Sequence, residues 1–358
     1  MSTREIQNQG AFSHIPEFDG LRALAIALVL ITHANFQLGA NGILGVDIFF
    51  TLSGFLITSL LYNEFNSKGS YSVKAFYVRR FFRLMPSLIL VVLFVFLYGI
   101  IFESPEIKSI ITSEVIFSVL YLSNLSWIWE AKNYLLAHTW SLANEEQFYI
   151  FFPVFFLIFL RRGSSVLFGI FLGLLSLLLL FMKLFGVTGP IINSLLMESL
   201  FFGCSASILF YSGKIKFKIS DFFTLILLVF ILIVGVFPVQ AYMQLYNSGG
   251  RGLVGLLSCF IIVGILQNPG GVVSRILSTP LTLIIGQISY SLYLWHVPIF
   301  RLFKIYSPFS PPINFISKFI FTFFISILSF YFLEKPLIRF GKKISARLNH
   351  VLPTRVVD

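Results

Sequence analysis

Residues 18–36 read FDGLRALAIALVLITHANF, and the rest of the chain can be interpreted from this stretch. Between Arg22 and His33, every residue except Thr32 is Ala, Leu, Ile or Val. The spacing from Arg22 to His33 is close to three turns of ~3.6 residues, so both side chains would lie on one helix face, about 16 Å apart along the axis. An ionisable side chain inside a membrane helix is costly and by default indicates a functional site.

The composition is that of a membrane protein with many spans. Of the 358 residues, 57% are hydrophobic and 11% are charged, whereas soluble domains average ~25% charged residues. The net charge of +11 fits basic cytoplasmic loops, so we expect a lipid bilayer as partner and no nucleic acid. Cys204 and Cys259 lie in apolar runs, which predicts buried small side chains. Residues 1–17 contain no apolar signal-peptide core, so the first span would direct insertion.

Ten segments are apolar over roughly the ~20 residues that a transmembrane helix needs. They are residues 20–39, 44–63, 84–103, 144–160, 165–185, 193–211, 222–239, 251–267, 281–301 and 314–333. A weaker run at 112–129 contains many polar residues, which predicts a loop helix outside the hydrocarbon. The predicted fold is an all-α polytopic membrane protein with about ten transmembrane helices around a central cavity.

The basic residues give the predicted helices a direction. With the N-terminus inside, 19 of the 26 Lys and Arg residues fall on the inner side, as the positive-inside rule requires. An eleventh span at 112–129 would move every later basic loop outside. We therefore predict a multi-pass protein of the inner (plasma) membrane with both termini cytoplasmic, comprising one membrane domain over 1–345 and a short basic tail over 346–358.

His33 and Asp47 are candidates for acid–base chemistry. With helix entry at Leu21, His33 would lie about 18 Å into a core of ~30 Å, where an imidazole needs a cavity or a polar partner. In the structural alternative, His33 bonds to a neighbouring helix and Arg22 extends to the inner interface. Asp47 begins the next span after a short turn, so it could orient the imidazole or stabilise its own helix N-terminus.

Three further segments carry polar side chains at the ends of spans. Arg79, Arg80 and Arg83 begin the third span at its inner end, and they suit either contact with anionic lipid or a clamp for phosphates. The segment HTWSLANEEQFY at 138–149 contains two adjacent glutamates that would face different directions on a helix. The segment SYSLYLWHVP at 289–298 contains a second intramembrane histidine. Aromatic residues across 104–143 suit either an interfacial belt or a lid over a sugar.

Taken in order, these segments resemble acyltransferase family 3, the membrane protein family of bacterial O-antigen and exopolysaccharide O-acetyltransferases. The matching pieces extend over about residues 16–340 and are Arg22 with His33, Gly45-Val46-Asp47, Arg79 to Arg83, residues 140–149, residues 289–298, and Glu334 with Pro336. One departure is Ala143-Asn144, where the family often has Ser-Val before the glutamates.

The resemblance implies an enzyme that moves an acyl group, usually acetyl, from cytoplasmic acyl-CoA to a hydroxyl of a cell-surface or lipid-linked glycan such as lipopolysaccharide or exopolysaccharide. The catalytic candidates are then His33, Asp47, Glu145 and Glu146, with His33 acting either as a general base on the acceptor hydroxyl or as a transient carrier of the acyl group. The donor-binding candidates are Arg22, Arg79, Arg80 and Arg83, and the acceptor-binding candidates are His138, Trp140, Ser141, Tyr290 and His296. The donor would be acetyl-CoA or another acyl-CoA, without a metal, and the oligomeric state is not readable from the sequence.

A second class of function is a glycolipid or acyl-donor transporter without catalysis. Two matched halves with spans interrupted by Gly or Pro would favour it, and the sequence shows no such symmetry. A membrane sensor or scaffold is a third class, and it would not need Arg22 and His33 on one helix face. Neither the Walker loop, a zinc-binding spacing nor the nucleophile elbow is present in the sequence.

Overall fold

The computed structural model describes residues 14–34, 42–129, 134–187, 197–236 and 250–349, which are helical and contain no β-strand. The α-helices are α1 (Pro16–Ala34), α2 (Leu44–Lys68), α3 (Val73–Phe102), α4 (Pro105–Val119), α5 (Trp140–Arg161), α6 (Ser165–Leu184), α7 (Glu198–Tyr211), α8 (Asp221–Val236), α9 (Arg251–Gln267), α10 (Val272–Leu277), α11 (Pro280–Gln287), α12 (Ser289–Tyr306), α13 (Pro311–Ser329) and α14 (Lys335–Asn349). Two 3₁₀ helices, Ser123–Trp129 and Ala137–Thr139, and a π-helical turn, Phe330–Glu334, complete these elements. The all-α prediction is confirmed.

Several described helices are long and apolar enough to cross a membrane. They are Leu44–Lys68, Val73–Phe102, Ala137–Arg161, Ser165–Leu184 and Pro311–Leu348, to which α11 and α12 add a further candidate when they are taken together. Helices α7, α8 and α9 are apolar but shorter. The chain is therefore a multi-pass membrane protein, while the number of ten spans and the direction of the termini stay predictions.

Each predicted span coincides, wholly or in part, with a described helix, although the segment 281–301 is not one helix. Helix α11 ends at Gln287 and α12 begins at Ser289. A Cβ added at Gly286 would lie 1.9 Å from the carbonyl oxygen of Asp19, so α11 lies against the backbone of α1 immediately before the break. The run at 112–129 forms the end of α4 and a 3₁₀ helix, and it is not among the candidate spans, as predicted. The predicted tail beyond Asn349 lies outside the described residues.

The chain divides into two compact units. The first unit comprises Met1–Tyr71 with Phe152–Ser289, and the second comprises Ser72–Phe151 with Tyr290–Asp358. Within the first unit, α2 packs closely on α7. A Cβ added at Gly54 would lie 2.1 Å from the carbonyl oxygen of Leu200. Because small residues let helix backbones approach in a membrane, Gly54 allows α2 to pack directly on the backbone of α7.

The second unit contains a long antiparallel contact between α3 and α14. The rings of Phe82 and Phe340 meet edge to face with centroids 5.3 Å apart, and Arg79 donates a hydrogen bond of 3.2 Å to Ser345. A Cβ added at Gly341 would lie 2.6 Å from the Phe82 side chain. The basic beginning of α3 and the basic helix α14 therefore lie at the same end of the second unit.

Candidate active site

Arg22 is held at the beginning of α1 by an acidic residue that the sequence interpretation did not single out. Its guanidinium donates a hydrogen bond of 2.7 Å to Asp19 Oδ1, and Asp19 Oδ2 lies 2.7 Å from His14 Nε2. Asp19 is 3% exposed. Burial of an acid is costly unless it is paired, so the Asp19 carboxylate and the Arg22 guanidinium stabilise one another.

Close backbone contacts fix this end of α1 within the first unit. A Cβ added at Gly20 would lie 2.0 Å from the carbonyl oxygen of Leu277, so α10 lies directly on the helix beside Asp19. On the same helix, Glu17 accepts a hydrogen bond from the hydroxyl of Ser274. Arg22 therefore projects from a rigid turn, which is the support that a binding residue needs.

His33 lies in the last turn of α1 and is exposed. Its Nδ1 lies 2.9 Å from the carbonyl oxygen of Val29, one turn earlier. A carbonyl oxygen can only accept a hydrogen bond, so Nδ1 carries the proton. In the neutral imidazole Nε2 is then the basic nitrogen, and the backbone of its own helix orients the ring.

Asp47 has partners other than the imidazole that it was predicted to orient. Arg251 donates from Nε to both carboxylate oxygens at 3.3 and 3.4 Å, and the hydroxyl of Ser199 donates at 3.4 Å. Neither His33 nor an N-cap amide is a hydrogen-bonding partner of Asp47 in the described part of the chain. The Val29 carbonyl therefore orients the His33 ring. The Asp47 carboxylate is paired instead with Arg251 of α9.

A second buried ion pair lies at the same end of the first unit as His33. Lys183, at the end of α6, donates a hydrogen bond of 2.6 Å to Glu198, at the beginning of α7, and both side chains are less than 5% exposed. Glu198 and Asp47 therefore each have one cationic partner. The sequence interpretation did not single out Lys183 or Arg251. The signal that could have found these pairs is an acid at the beginning of each neighbouring span, because a buried acid needs a cationic partner.

In the second unit, Arg80 is held by both glutamates of the predicted catalytic segment. Its Nη2 lies 3.2 Å from Glu145 Oε1 and its Nε lies 3.3 Å from Glu146 Oε1. The guanidinium carbon lies 3.5 Å from the centroid of the Tyr149 ring, and the Tyr149 hydroxyl donates to Glu145. Although the two glutamates point in different directions on α5, the forked guanidinium reaches both.

The other two arginines of the basic stretch differ from Arg80. Arg79 donates to the hydroxyl of Ser345 on α14, and Arg83 is exposed. Two carboxylates compensate the charge of Arg80, whereas the hydrogen bond described for Arg79 is to a hydroxyl. The three arginines predicted as one clamp therefore have different environments.

The predicted acceptor residues His138, Ser141 and His296 are close together around Tyr293. The two imidazole rings have centroids 5.1 Å apart. His138 Nε2 lies 3.1 Å from the Leu294 carbonyl oxygen and His296 Nδ1 lies 2.6 Å from the Tyr293 carbonyl oxygen, so each ring donates to backbone. The hydroxyls of Ser141 and Tyr293 are 2.6 Å apart.

Two more predicted acceptor residues, Tyr290 and Trp140, also lie in the second unit. The hydroxyl of Tyr290 donates a hydrogen bond of 2.8 Å to the carbonyl oxygen of Leu84 on α3. The side chain of Trp140 is partly exposed at the start of α5. Arg22, His33 and Asp47 belong to the first unit, and every other predicted site residue belongs to the second.

Glu114 fixes the loop that leads into His138. Its carboxylate accepts hydrogen bonds from the backbone N–H groups of Tyr134, Leu135 and Leu136 at 2.5, 2.8 and 3.2 Å. Burial raises the pKa of the Glu114 carboxyl, and the three N–H donors, which favour the charged form, oppose that rise. This acid therefore has a structural role in holding the segment before the 3₁₀ helix at His138.

We expect Glu114→Gln to loosen this loop, because the amide replaces one acceptor oxygen by a donor that faces a backbone N–H. An unsatisfied buried group of this kind costs about 1–3 kcal/mol. Limited proteolysis in detergent should show faster cleavage between α4 and α5, whereas Glu106→Gln, an exposed acid in the first turn of α4, should leave the rate unchanged. Equal rates for the two variants would contradict the role of Glu114.

The family model and the similar proteins that match this chain indicate the same protein family. The model of the acyltransferase domain of family 3 matches residues 15–331. The peptidoglycan O-acetyltransferase OatA of Listeria monocytogenes is 32% identical over 354 residues, which is 92% of this chain and 56% of that protein. The O-acetyltransferase OatA of Staphylococcus aureus (strain NCTC 8325) is 32% identical over 363 residues, covering 94% of this chain and 59% of the relative.

A third relative, a putative O-acetyltransferase of Staphylococcus aureus (strain COL), is 33% identical over 306 residues, covering 79% of this chain and 50% of that protein. The chain thus spans about half to three fifths of the length of the curated relatives it matches. No solved structure matches the chain. Because the family model extends over most of the chain, and over the segments that carry Arg22, His33, Glu145 and His296, the protein belongs to acyltransferase family 3.

Proposed function

We propose that this protein is a membrane O-acetyltransferase that transfers an acetyl group from acyl-CoA to a hydroxyl of a bacterial surface glycan. The observation that carries the proposal is the imidazole of His33, whose proton is fixed on Nδ1 by the Val29 carbonyl, so that Nε2 is the basic nitrogen. Family membership and the O-acetyltransferase names of the relatives support the reaction class.

The proposed step is general-base catalysis by His33. Nε2 takes the proton of the acceptor hydroxyl while its oxygen attacks the thioester carbonyl, forming a tetrahedral intermediate. Collapse of the intermediate breaks the carbon–sulfur bond, and the leaving CoA thiolate takes the proton from the imidazolium. The products are an ester and free CoA, and His33 returns to its starting protonation state.

In this proposal Arg22, Arg79 and Arg83 bind the donor. Arg79 and Arg83 would bind phosphates of the donor by charge-assisted hydrogen bonds. Arg80 is better suited to holding Glu145 and Glu146, since both carboxylates already neutralise it. Asp47 would act indirectly, by fixing the beginning of α2 through Arg251.

The glycan that we propose as first candidate is peptidoglycan, because the Listeria relative is a peptidoglycan O-acetyltransferase. Lipid-linked sugars and exopolysaccharides are alternative acceptors, because they also offer sugar hydroxyls. The cytoplasmic position of the donor follows from the predicted direction of the helices, and we place the protein in the plasma membrane on the same grounds.

The proposal is tested by incubating membranes that contain the protein with acetyl-labelled acetyl-CoA and a purified glycan acceptor. We expect label in the glycan as a base-labile ester, in an amount that depends on the protein. Label that enters sealed vesicles as unchanged donor, without ester, would support a transporter instead. No protein-dependent label in peptidoglycan, lipid-linked sugar or exopolysaccharide would contradict the proposed function.

A further inference from the structure

Helix α14 has a basic face that the reaction described above does not use. Between Lys335 and Asn349 the helix contains five basic residues and no acidic residue: Lys335, Arg339, Lys342, Lys343 and Arg347. At ~100° per residue, these five side chains fall within a sector of about 140°. Such a separation of basic and apolar faces is stronger than a scattered positive-inside bias would produce.

The apolar face of α14 already has a partner, so the basic face is the part that is available for binding. Gly341 and Ser345 are buried against Phe82 and Arg79 of α3. Arg339, Lys342, Lys343 and Arg347 are exposed. None of these four basic residues forms an ion pair with an acidic residue in the described ranges.

The length of the helix indicates that this face lies outside the bilayer. Residues 311–348 form a continuous helical stretch of 38 residues, which is about 57 Å long, against a hydrocarbon core of ~30 Å. Helix α13 alone, with 19 residues, covers that core. The headgroup layer adds only about 5–8 Å on each side, so lipid phosphates could contact the first turns of α14 but not its whole basic face.

The adjoining part of α3 extends the same positive surface. Because α3 and α14 are antiparallel, Arg79 lies beside Ser345, and the exposed residues Lys74 and Arg83 lie at the same end of the second unit. Helix α3 contains no acidic residue over its 30 residues. A soluble ligand with several closely spaced negative charges fits this surface better than a single carboxylate does.

We propose that the basic face of α14 binds the phosphates of coenzyme A, namely its pyrophosphate and its ribose 3′-phosphate. This inference rests on the proposed function, in which acyl-CoA is the donor. Lysine and arginine bind phosphate oxygens by charge-assisted hydrogen bonds, and the face offers its cations over three turns of helix. Helix α14 thereby becomes part of the donor site.

The test is equilibrium binding of coenzyme A itself, without acyl group or acceptor, by titration calorimetry. The full chain is reconstituted in nanodiscs of zwitterionic lipid, so that anionic lipid cannot compete. The variant Arg339→Gln/Lys342→Gln/Lys343→Gln should raise the dissociation constant roughly tenfold, since each exposed charge pair contributes only about twofold to threefold. Pantetheine, which lacks all the phosphates, should bind the wild type and the variant equally.

A matched control is Lys214→Gln/Lys216→Gln/Lys218→Gln, which removes three exposed lysines from the loop between α7 and α8. It should leave the affinity for coenzyme A unchanged, apart from weak long-range effects screened by salt. If the triple variant in α14 does not fold, Arg339→Gln and Lys343→Gln are measured singly, each with an expected change of about twofold.

The possible results separate the inference from the proposed function. If the wild type binds coenzyme A and the α14 variant binds it equally well, the inference is wrong and the donor proposal stands. If the wild type does not bind coenzyme A, the donor proposal itself is overturned. A variant that differs from the wild type only after anionic lipid is added would assign the face to lipid headgroups and overturn the inference.

Discussion

His33→Asn is expected to lower acetyl transfer by about 10²–10⁴-fold, the usual contribution of a positioned acid–base group. The asparagine amide can still donate to the Val29 carbonyl, as His33 Nδ1 does at 2.9 Å, but it has no basic nitrogen. His33 is exposed at the end of α1, so expression, membrane insertion and thermal stability should stay close to those of the wild type. The measurement is the initial rate of labelled ester formation at saturating donor.

Two further variants are measured beside His33→Asn: His33→Gln, which also removes the base, and Thr32→Ala, which serves as the control. Glutamine also lacks a base, so its activity should fall as far as that of His33→Asn. Thr32 donates to the Leu28 carbonyl at 3.1 Å, and its replacement by Ala should leave most of the activity. Activity within a factor of two or so of wild type in His33→Asn would remove His33 from the mechanism, because a general base cannot be replaced by an amide.

Lys183→Met is expected to destabilise the protein by about 3–5 kcal/mol, because it leaves the Glu198 carboxylate buried without its cation. The pair is 2.6 Å long and nearly inaccessible to solvent, so neither screening nor water can compensate. For a chain of 358 residues the thermal unfolding midpoint should fall by roughly 4–7 °C. The midpoint is measured on purified protein in detergent.

The double variant Lys183→Met/Glu198→Leu isolates the effect of the unpaired charge. Replacing both members of a buried ion pair by apolar groups is often nearly neutral, so the midpoint should return most of the way to the wild-type value. Lys304→Met, at an exposed lysine near the end of α12, should have little effect. A single variant as stable as the wild type, or a double variant less stable than the single, would contradict the proposed pairing.

The sequence predicted the positions of the helices better than it predicted the contacts between them. Apolar runs of the right length gave the positions of α2, α5 and α6 to within about five residues, because burial in lipid requires every backbone group to bond within its own helix. Helix α3 begins at Val73, well before the predicted start at residue 84, because its first turns contain basic residues and were not part of the apolar run. The break at Ile288 was missed, since Gln287 and Ser289 are polar residues that an otherwise apolar run can contain without interruption. That break coincides with the close approach of α11 to α1, a contact between distant parts of the chain.

The partners of the charged residues were harder to predict. Arg80 was grouped with Arg79 and Arg83 because the three are adjacent, yet Glu145 and Glu146 neutralise it. Asp47 was assigned to His33 because a short turn joins their helices, yet α9 supplies Arg251 instead. In both cases the partner comes from a helix more than sixty residues away, and nothing in local spacing identifies it.

The sequence by itself determined that this is an all-α membrane protein of acyltransferase family 3 with Arg22 and His33 on one helix. These properties depend on hydropathy, on the ~3.6-residue period and on motifs that are continuous in the chain. Only the tertiary structure decided which buried charges pair, that the Val29 carbonyl fixes the His33 tautomer, and that α14 turns its basic face outward. The reason is physical: a helix forms from local hydrogen bonds, whereas a buried charge is stabilised by whichever opposite charge the packing of distant helices brings within a few ångströms.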